Sequence, residues 1–417
     1  MMMNKTLYKY FTILVLSLAG GAIYTLPYLK YVFYDTQLEV MNISNMQSGF
    51  LITMYALGGM LTYIPGGILT DRISPRKAIS YSLFGTAILG VIYAYTMSYS
   101  MALVLWFLFA ITTAFVFWTS LLKAISMVGD SSEQARLYGI YYAGNGLAGA
   151  VINGLALKAA SFGLDPKQSL FYAVIVMAGC ILLSGVLVFV VLKDKSDETN
   201  QTSSDDKINF SHVKELFKDP MLWCFSIIVF TGYSIFSSTT YFNPYLTNVV
   251  GISVEDSGMF SIIRSYLFYL IAPFGGYLAD KVFKSTSKLF IVLFTLLAGT
   301  FIGVMFLPST MSATLISIYT LLPGAFGLML YGLVFSIVRE AGISMKVAGT
   351  AIGIASIIGY TPDLFLSSMF GYWLDIYGNS GYNMIFSFLG GMSLLGLILA
   401  TILVKKNQLN KRELVTA

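Results

Sequence analysis

The stretch Gly66-Gly67-Ile68-Leu69-Thr70-Asp71-Arg72 recurs 209 residues later in altered form, as Gly275-Gly276-Tyr277-Leu278-Ala279-Asp280-Lys281. A Ser-Gly pair precedes each copy at the same spacing, as Ser48-Gly49 and Ser257-Gly258, and the residues in between form a hydrophobic run. Motifs that recur at one fixed offset, without insertion or deletion, indicate an internal duplication. The sequence therefore predicts a protein built from two homologous halves.

The composition indicates a membrane protein, because 57% of the residues are hydrophobic and 11% are charged, whereas soluble domains carry roughly 25% charged residues. Apolar runs of membrane-spanning length recur along the whole chain, and a helix of about 20 such residues crosses the hydrocarbon layer. The runs lack the alternation of a transmembrane β-barrel. We therefore predict an all-α membrane protein with twelve transmembrane helices in two pseudo-symmetric six-helix bundles. The predicted spans are 11–34, 48–70, 78–97, 101–123, 135–160, 170–192, 220–248, 258–280, 288–307, 313–338, 347–373 and 383–404.

A long polar segment divides the twelve spans into six and six. We therefore predict an N-terminal bundle over 1–192 and a C-terminal bundle with a cytoplasmic tail over 220–417. The residues between them, 193–219, are predicted to form a cytoplasmic linker that could include a short amphipathic helix at the membrane surface.

Basic residues concentrate on one side of the predicted membrane, and acidic residues on the other. The acidic side carries Asp35, Asp165 and Asp375. The positive-inside rule then places both termini in the cytoplasm of a plasma (inner) membrane protein. The net charge of +5 reflects this bias and requires no nucleic-acid partner. The basic side carries Lys5, Lys9, Arg72, Arg76, Lys77, Arg136, Lys281, Lys284, Lys288, Arg339, Lys346, Lys405, Lys406, Lys411 and Arg412.

The sequence shows no pattern typical of an enzyme. It has no nucleotide-binding loop, no spacing that would support a Ser/His/Asp set, and no His/Cys metal cluster. The single histidine, His212, lies in the linker, and Cys180 and Cys224 lie in separate spans. We expect no metal, no cofactor and no catalytic activity, and any transport would not be driven by ATP hydrolysis within this chain.

The segment Gly67-Ile68-Leu69-Thr70-Asp71-Arg72-Ile73-Ser74-Pro75-Arg76-Lys77, between the second and third spans of a twelve-span duplicated chain, resembles the signature of the major facilitator superfamily. The resemblance covers essentially the whole chain. It implies a secondary transporter that moves a small molecule between lipid-embedded bundles by alternating access, and we expect a monomer. It also implies a cytoplasmic gate, although the same charges could serve only to set topology. The implied gate residues are Gly67, Asp71, Arg72, Arg76, Arg136 and Asp280.

Charges within the predicted spans indicate where a substrate would bind. Arg264 in the eighth span and Asp363 in the eleventh lie at similar depth, so an ion pair between them is possible. Charged groups inside a bilayer are costly and usually face a cavity. Two interpretations remain open: a structural ion pair, or a site for a substrate anion whose counter-charge is Asp363. Lys30 in the first span could face the same cavity or extend toward the membrane surface.

The second interpretation suggests a mechanism. An anion competes with Asp363 for Arg264, Asp363 takes up a proton, and the neutralised site moves between outward and inward states. Pro27-Tyr28 and Pro244-Tyr245 interrupt corresponding helices of the two halves, as cavity-lining segments of transporters often do. The predicted substrate-binding residues are Arg264, Asp363, Lys30, Tyr28, Tyr55, Asn145, Asn243, Tyr245, Tyr360 and Trp118.

Within the superfamily, Arg264 is similar to the substrate-binding arginine of oxalate/formate exchangers and nitrate carriers. This chain departs from both, since Tyr55 occupies the position of the second arginine of nitrate carriers and Asp363 stands where oxalate exchangers have a lysine. We therefore expect a monoanion or a zwitterion, with proton coupling or exchange.

Two other functions stay open. A proton-driven exporter of cationic or lipophilic compounds would use Asp363 as the cation site and leave Arg264 structural. A sensor with a transporter fold would bind a ligand without transporting it.

Overall fold

A computed structural model describes residues 5–70, 73–128, 133–193, 216–308, 310–343 and 347–416. The regular secondary structure of these residues is entirely helical. The chain separates into two compact units, each made of several sequence segments. The predicted domain boundaries around the linker stay a prediction.

The first unit contains Met1–Asn200, Asn243–Leu270 and Ser367–Tyr372. It thus combines the first half of the chain with two segments of the second half. Its α-helices are Lys5–Ile23, Tyr34–Met41, Asn45–Thr70, Pro75–Thr96, Tyr99–Ala110, Phe117–Ser126, Gln134–Ala160, Pro166–Val191 and Val254–Ser265.

The second unit contains Gln201–Phe242, Ile271–Leu366 and Trp373–Ala417. The helices Phe242–Tyr245 and Pro362–Tyr377 contribute residues to both units. The α-helices of the second unit are Pro220–Ser238, Ala272–Tyr277, Thr286–Val304, Ala313–Tyr319, Leu321–Leu333, Ala348–Gly359, Pro362–Tyr377 and Gly381–Thr416.

The helices agree with the twelve predicted spans. Among the described residues, eight segments are long and apolar enough to cross a membrane, and a ninth results if Val254–Ile271 and Pro273–Val282 form one bent span. The longest segment, Thr350–Lys406, has 57 residues and covers most of the eleventh predicted span and all of the twelfth. The helices Asn45–Thr70 and Gln134–Ala160, with 26 and 27 residues, coincide with two further spans.

The first predicted span is not one continuous helix. Its α-helix ends at Ile23, and a short 3-10 turn, Leu29–Tyr31, follows Pro27. Proline cannot donate a backbone hydrogen bond and bends the chain. The indole of Trp106 donates a hydrogen bond of 2.9 Å to the carbonyl of Pro27, which satisfies this group within the core.

Several helices begin at side chains that accept hydrogen bonds from the first turn. Asp165 accepts from the Gln168 amide at 2.8 Å, directly before Pro166. In the second unit, Glu340 accepts from the Thr286 amide at 2.7 Å and from the Ser287 amide at 3.0 Å. A carboxylate at this position satisfies amides that lack an intrahelical partner. Glu340 therefore holds the start of the helix Thr286–Val304.

Gly66 of the duplicated motif allows a close helix contact, as small residues do in membrane proteins. A Cβ atom at Gly66 would lie 1.6 Å from the carbonyl oxygen of Phe115. Phe115 belongs to the π-helical turn Ile111–Phe115 within the fourth predicted span. The motif glycine is thus required for the second and fourth spans to approach each other.

Candidate functional site

Arg264 is one of the most deeply buried large side chains of the protein. It lies in the last turn of the helix Val254–Ser265, whose first turn is capped by the Ser253 hydroxyl. Its side chain is 1% exposed. A guanidinium keeps its charge at accessible pH and offers several donors in a planar fork that suits carboxylate and phosphate groups. The structure thus holds a strong anion-binding group inside the first unit.

Lys30 is also buried in the first unit, at 3% exposure. It lies on the turn Leu29–Tyr31, and its ammonium group is 5.4 Å from the ring centroid of Tyr34. A cation over an aromatic face is attracted by the ring electrons. The first unit therefore contains two buried cationic side chains.

Four tyrosine rings form a connected group around the bend of the first span. The ring of Tyr28 is 4.8 Å from that of Tyr31, 5.4 Å from that of Tyr55 and 6.5 Å from that of Tyr24, between centroids. The Tyr55 hydroxyl shares a hydrogen bond of 2.7 Å with Thr113. The structure thus brings together Tyr28 and Tyr55, which were predicted separately as site residues.

Asn243 is 2% exposed and is bonded to the backbone of the first span. Its side-chain amide donates to the carbonyl of Tyr31 at 2.9 Å and to that of Val32 at 3.1 Å. The hydroxyl of Ser257 donates to the Asn243 carbonyl at 2.7 Å, and the hydroxyl of Ser261 donates to the Tyr31 carbonyl. Asn243 thus joins segments from both halves of the sequence within the first unit.

A second polar contact in the same unit involves Asp35, which was predicted only as a topology residue. Its carboxylate accepts a hydrogen bond of 2.6 Å from the Thr247 hydroxyl and one of 3.2 Å from the Asn248 amide. In sequence, these contacts follow those of Asn243 by a few residues on both segments.

The remaining predicted site residues of the first unit pack in its interior. Asn145 is partly buried and donates a hydrogen bond of 3.1 Å to the Tyr141 hydroxyl. Tyr245 is buried, and Trp118 packs against the hydrophobic core of this unit. A role of these residues in substrate binding stays a prediction.

Asp363 and Tyr360 lie in the second unit. The helix Ala348–Gly359 ends before Tyr360, and a new helix begins at Pro362, so Asp363 is in its first turn. The Tyr233 hydroxyl donates a hydrogen bond of 2.5 Å to the Asp363 carboxylate. Tyr233 was missed by the sequence analysis, because one tyrosine in an apolar run looks like a packing residue. The predicted ion pair between Asp363 and Arg264, which belong to different units, stays a prediction.

The predicted gate residues are only partly described. Asp71 and Arg72 lie outside the described residues, Gly67 lies in the helix Asn45–Thr70, and Asp280 is exposed. Two of the arginines contact aromatic rings of the first unit. The guanidinium of Arg76 lies 4.3 Å from the Phe189 ring and donates a hydrogen bond of 2.7 Å to the Phe189 carbonyl, while that of Arg136 lies 5.6 Å from the Tyr10 ring.

Comparison with known proteins identifies the family of this chain. Residues 10–361 match the model of the Major Facilitator Superfamily. The chain is 30% identical to the inner membrane protein YihN of Escherichia coli (strain K12) over an alignment of 426 positions that covers all of both proteins. It is 22% identical to the glycerol-3-phosphate transporter of Bacillus subtilis (strain 168), with 88% of this chain and 87% of the relative covered.

A solved structure supports the fold. The inward-facing, occupied form of a bacterial homolog of the human lysosomal transporter Spinster superposes with a TM-score of 0.68 at 16% sequence identity, covering 97% of both chains. The structural likeness concerns the fold, whereas the match over residues 10–361 identifies the family. The chain belongs to the Major Facilitator Superfamily and has its fold of twelve transmembrane helices in two six-helix bundles.

Proposed function

We propose that this protein is a secondary active transporter that moves a small organic anion or zwitterion across the inner membrane by alternating access. The observation that carries the proposal is the burial of Arg264, at 1% exposure, in a membrane helix. Burying a charge in a membrane is costly, and such residues usually handle ions or substrates. The similarity to a glycerol-3-phosphate transporter supports an organic anion as the substrate.

Other buried and partly buried groups of the first unit support the same substrate class. Lys30 adds a second positive charge at 3% exposure. The ring group formed by Tyr24, Tyr28, Tyr31 and Tyr55 offers apolar faces together with hydroxyl groups. Ligand sites commonly combine an apolar lining with a few placed polar groups. We expect the acidic group of the substrate to bind Arg264 and its carbon skeleton to contact these rings.

The proposed coupling ion is the proton, and Asp363 is its proposed binding residue. A carboxylate inside a membrane protein can alternate between ionised and neutral forms as its surroundings change. When the substrate anion engages Arg264, protonation of Asp363 would keep the total charge of the transport site constant. We also propose that the protein works as a monomer and that both of its termini lie in the cytoplasm.

A second candidate is the export of an organic cation. It is favoured by the aromatic surroundings of Asp363, whose hydrogen-bond donor Tyr233 has ring contacts to Tyr331 and Tyr360. Carboxylates and aromatic faces both attract organic cations. This candidate predicts that a variant of Asp363 loses binding of the ligand while a variant of Arg264 keeps it.

A thermal-shift screen of the purified protein tests the proposal. Carboxylates, organophosphates, sulfonates, amino acids and organic cations are added in turn, because a ligand that binds the folded state raises the melting temperature. We expect organic anions or zwitterions to stabilise the wild type and not Arg264→Ala. Stabilisation by cations alone, lost only in Asp363→Asn, would favour the second candidate.

A further inference from the structure

The hydrogen bond between Tyr233 and Asp363 is built into the second unit. Tyr233 lies on the helix Pro220–Ser238 and is 8% exposed. Its hydroxyl donates to a carboxylate oxygen of Asp363 at 2.5 Å. Such a short bond is typical of a hydroxyl donor on an ionised acceptor, and bonds of this kind are about twice as strong as neutral ones.

The close approach of two helices places these residues opposite each other. A Cβ atom at Gly359 would lie 2.4 Å from the Cγ1 atom of Val229, so the chain tolerates little more than glycine there. Tyr233 follows Val229 by four residues, and Asp363 follows Gly359 by four. Val229 and Tyr233 lie on one face of the helix Pro220–Ser238, because residues four apart share a face. Gly359 ends one helix and Asp363 lies in the first turn of the next, so the close approach at Gly359 lies near the contact between the phenol and the carboxylate.

Ring contacts fix the direction of the phenol. The ring of Tyr233 lies edge-on to that of Tyr360, with centroids 4.7 Å apart, and 5.5 Å from that of Tyr331. Tyr331 is in turn stacked on Phe236 at 4.6 Å, and its hydroxyl shares a hydrogen bond of 3.0 Å with that of Tyr360. A ring held on several sides has little freedom to move its hydroxyl away from Asp363.

We propose that Tyr233 is a positioning residue for proton coupling, which holds the Asp363 carboxylate in the place and the ionised form from which it takes up the coupling proton. This inference rests on the proposed function. A hydrogen bond to an ionised carboxylate favours the ionised form over the neutral acid. In the cycle, Asp363 gains one proton and later releases it, while Tyr233 keeps its own. Without the phenol, we expect the release step to slow.

The test compares two rates in proteoliposomes. The first is uptake driven by a pH gradient, and the second is counterflow, the exchange of labelled for unlabelled substrate without a gradient. The probe is whichever of glycerol 3-phosphate, glucuronate and sulfoacetate the wild type takes up fastest. Tyr233→Phe should lower the ratio of driven uptake to counterflow about tenfold, a factor that one hydrogen bond to a charged group can supply. Asp363→Asn should abolish driven uptake and keep counterflow.

Two controls separate positioning from a general structural effect. Tyr319→Phe removes another phenolic donor of the same unit, which bonds the Thr300 carbonyl at 2.8 Å, and should keep the wild-type ratio. The double variant Tyr233→Phe/Asp363→Asn should show the counterflow rate of Asp363→Asn alone, because residues that act through one contact are not additive.

The inference would be overturned if the ratio of driven uptake to counterflow in Tyr233→Phe stayed within about twofold of the wild-type ratio. A charge-assisted hydrogen bond should have a larger effect. Counterflow that falls further in the double variant would overturn it as well, since the phenol would then act independently of the carboxylate. Driven uptake that survives in Asp363→Asn would remove Asp363 and Tyr233 from the coupling step while leaving anion transport intact. A wild type that transports none of the probes would contradict the proposed function and this inference together.

Discussion

The side-chain amide of Asn243 donates a hydrogen bond of 2.9 Å to the backbone carbonyl of Tyr31, and so connects the two halves of the sequence inside one compact unit. Asn243 was predicted as a substrate ligand because a buried amide needs partners. In this structure its amide has backbone partners. These buried hydrogen bonds stabilise the arrangement of the two segments within the unit.

Removing this amide should destabilise the segment that it holds. Asn243→Ala removes the donor from the carbonyls of Tyr31 and Val32, and of these the Tyr31 carbonyl keeps the Ser261 hydroxyl as a partner. A buried group that loses its partner costs about 1–3 kcal/mol. We expect faster backbone hydrogen exchange over residues 29–33, measured by mass spectrometry. Asn248→Ala is the control, because Asn248 is exposed and its side-chain amide donates to the side chain of Asp35 rather than to these carbonyls. Equal exchange in Asn243→Ala and the wild type would contradict this prediction.

The helix Asn45–Thr70 allows a comparison of the motif glycine Gly66 with Gly59, one of its other glycines. Gly66→Ala would place a Cβ atom 1.6 Å from the Phe115 carbonyl oxygen, whereas a Cβ atom at Gly59 would have its nearest neighbour at 3.9 Å. Overpacking typically costs about 1–3 kcal/mol or more, while alanine stabilises an open helix position by about 1 kcal/mol. In thermal unfolding followed in detergent, Gly66→Ala should melt lower than the wild type and Gly59→Ala should not. The reverse order would refute the close contact.

Glu340 accepts hydrogen bonds from the start of the helix Thr286–Val304, and these bonds predict that the stability of the folded protein depends on pH. Partial burial alone raises the pKa of the Glu340 carboxyl, but hydrogen bonds from Ser287, Ser285 and Thr286 outweigh burial and hold the pKa below its ordinary value of 4.5. Because the folded pKa is the lower one, the stabilisation is complete above pH 4.5 and is lost as the pH falls through the folded pKa.

Glu340→Gln should remove this effect. The substitution keeps the size of the side chain but replaces an ionised acceptor, which should cost about 1 kcal/mol at neutral pH, as is typical of helix caps. The difference in melting temperature between wild type and Glu340→Gln should shrink as the pH is lowered from 7 to 4. Glu39→Gln, on an exposed position outside this contact, should melt like the wild type at each pH. A difference that stays constant with pH would contradict the role assigned to Glu340.

The all-helical fold and the positions of the membrane spans could be predicted from the sequence, because apolar runs of fixed length are a direct requirement of the membrane. Within the spans, only the interruptions at Pro27 and Pro244 were predicted. The bend of 42° between Val254–Ile271 and Pro273–Val282, and the turn at Tyr360 and Thr361, were not predicted, although a proline follows each of them. The bond from Trp106 to the Pro27 carbonyl could not be predicted either, because the partner comes from another span.

The burial of Arg264 was foreseeable, since charges within apolar runs are rare and conspicuous, whereas the sequence left open whether Lys30 faces the interior or the membrane surface. Tyr233 was not, because its importance lies in a partner 130 residues away. The same is true of Glu340, which the sequence shows only as one more acid in a loop between spans. A pattern identifies unusual residue types, whereas ordinary residues gain a role only through the neighbour that the fold supplies.

The most direct test of the central claim is uptake of an organic anion into proteoliposomes by wild type, Arg264→Lys and Arg264→Ala. Loss of a buried charge partner costs roughly 3 kcal/mol, or about a hundredfold in binding. We expect Arg264→Ala to lose anion uptake by about this factor and Arg264→Lys to keep part of it, because the positive charge remains. Wild-type rates of anion uptake in Arg264→Ala would show that Arg264 does not bind the substrate.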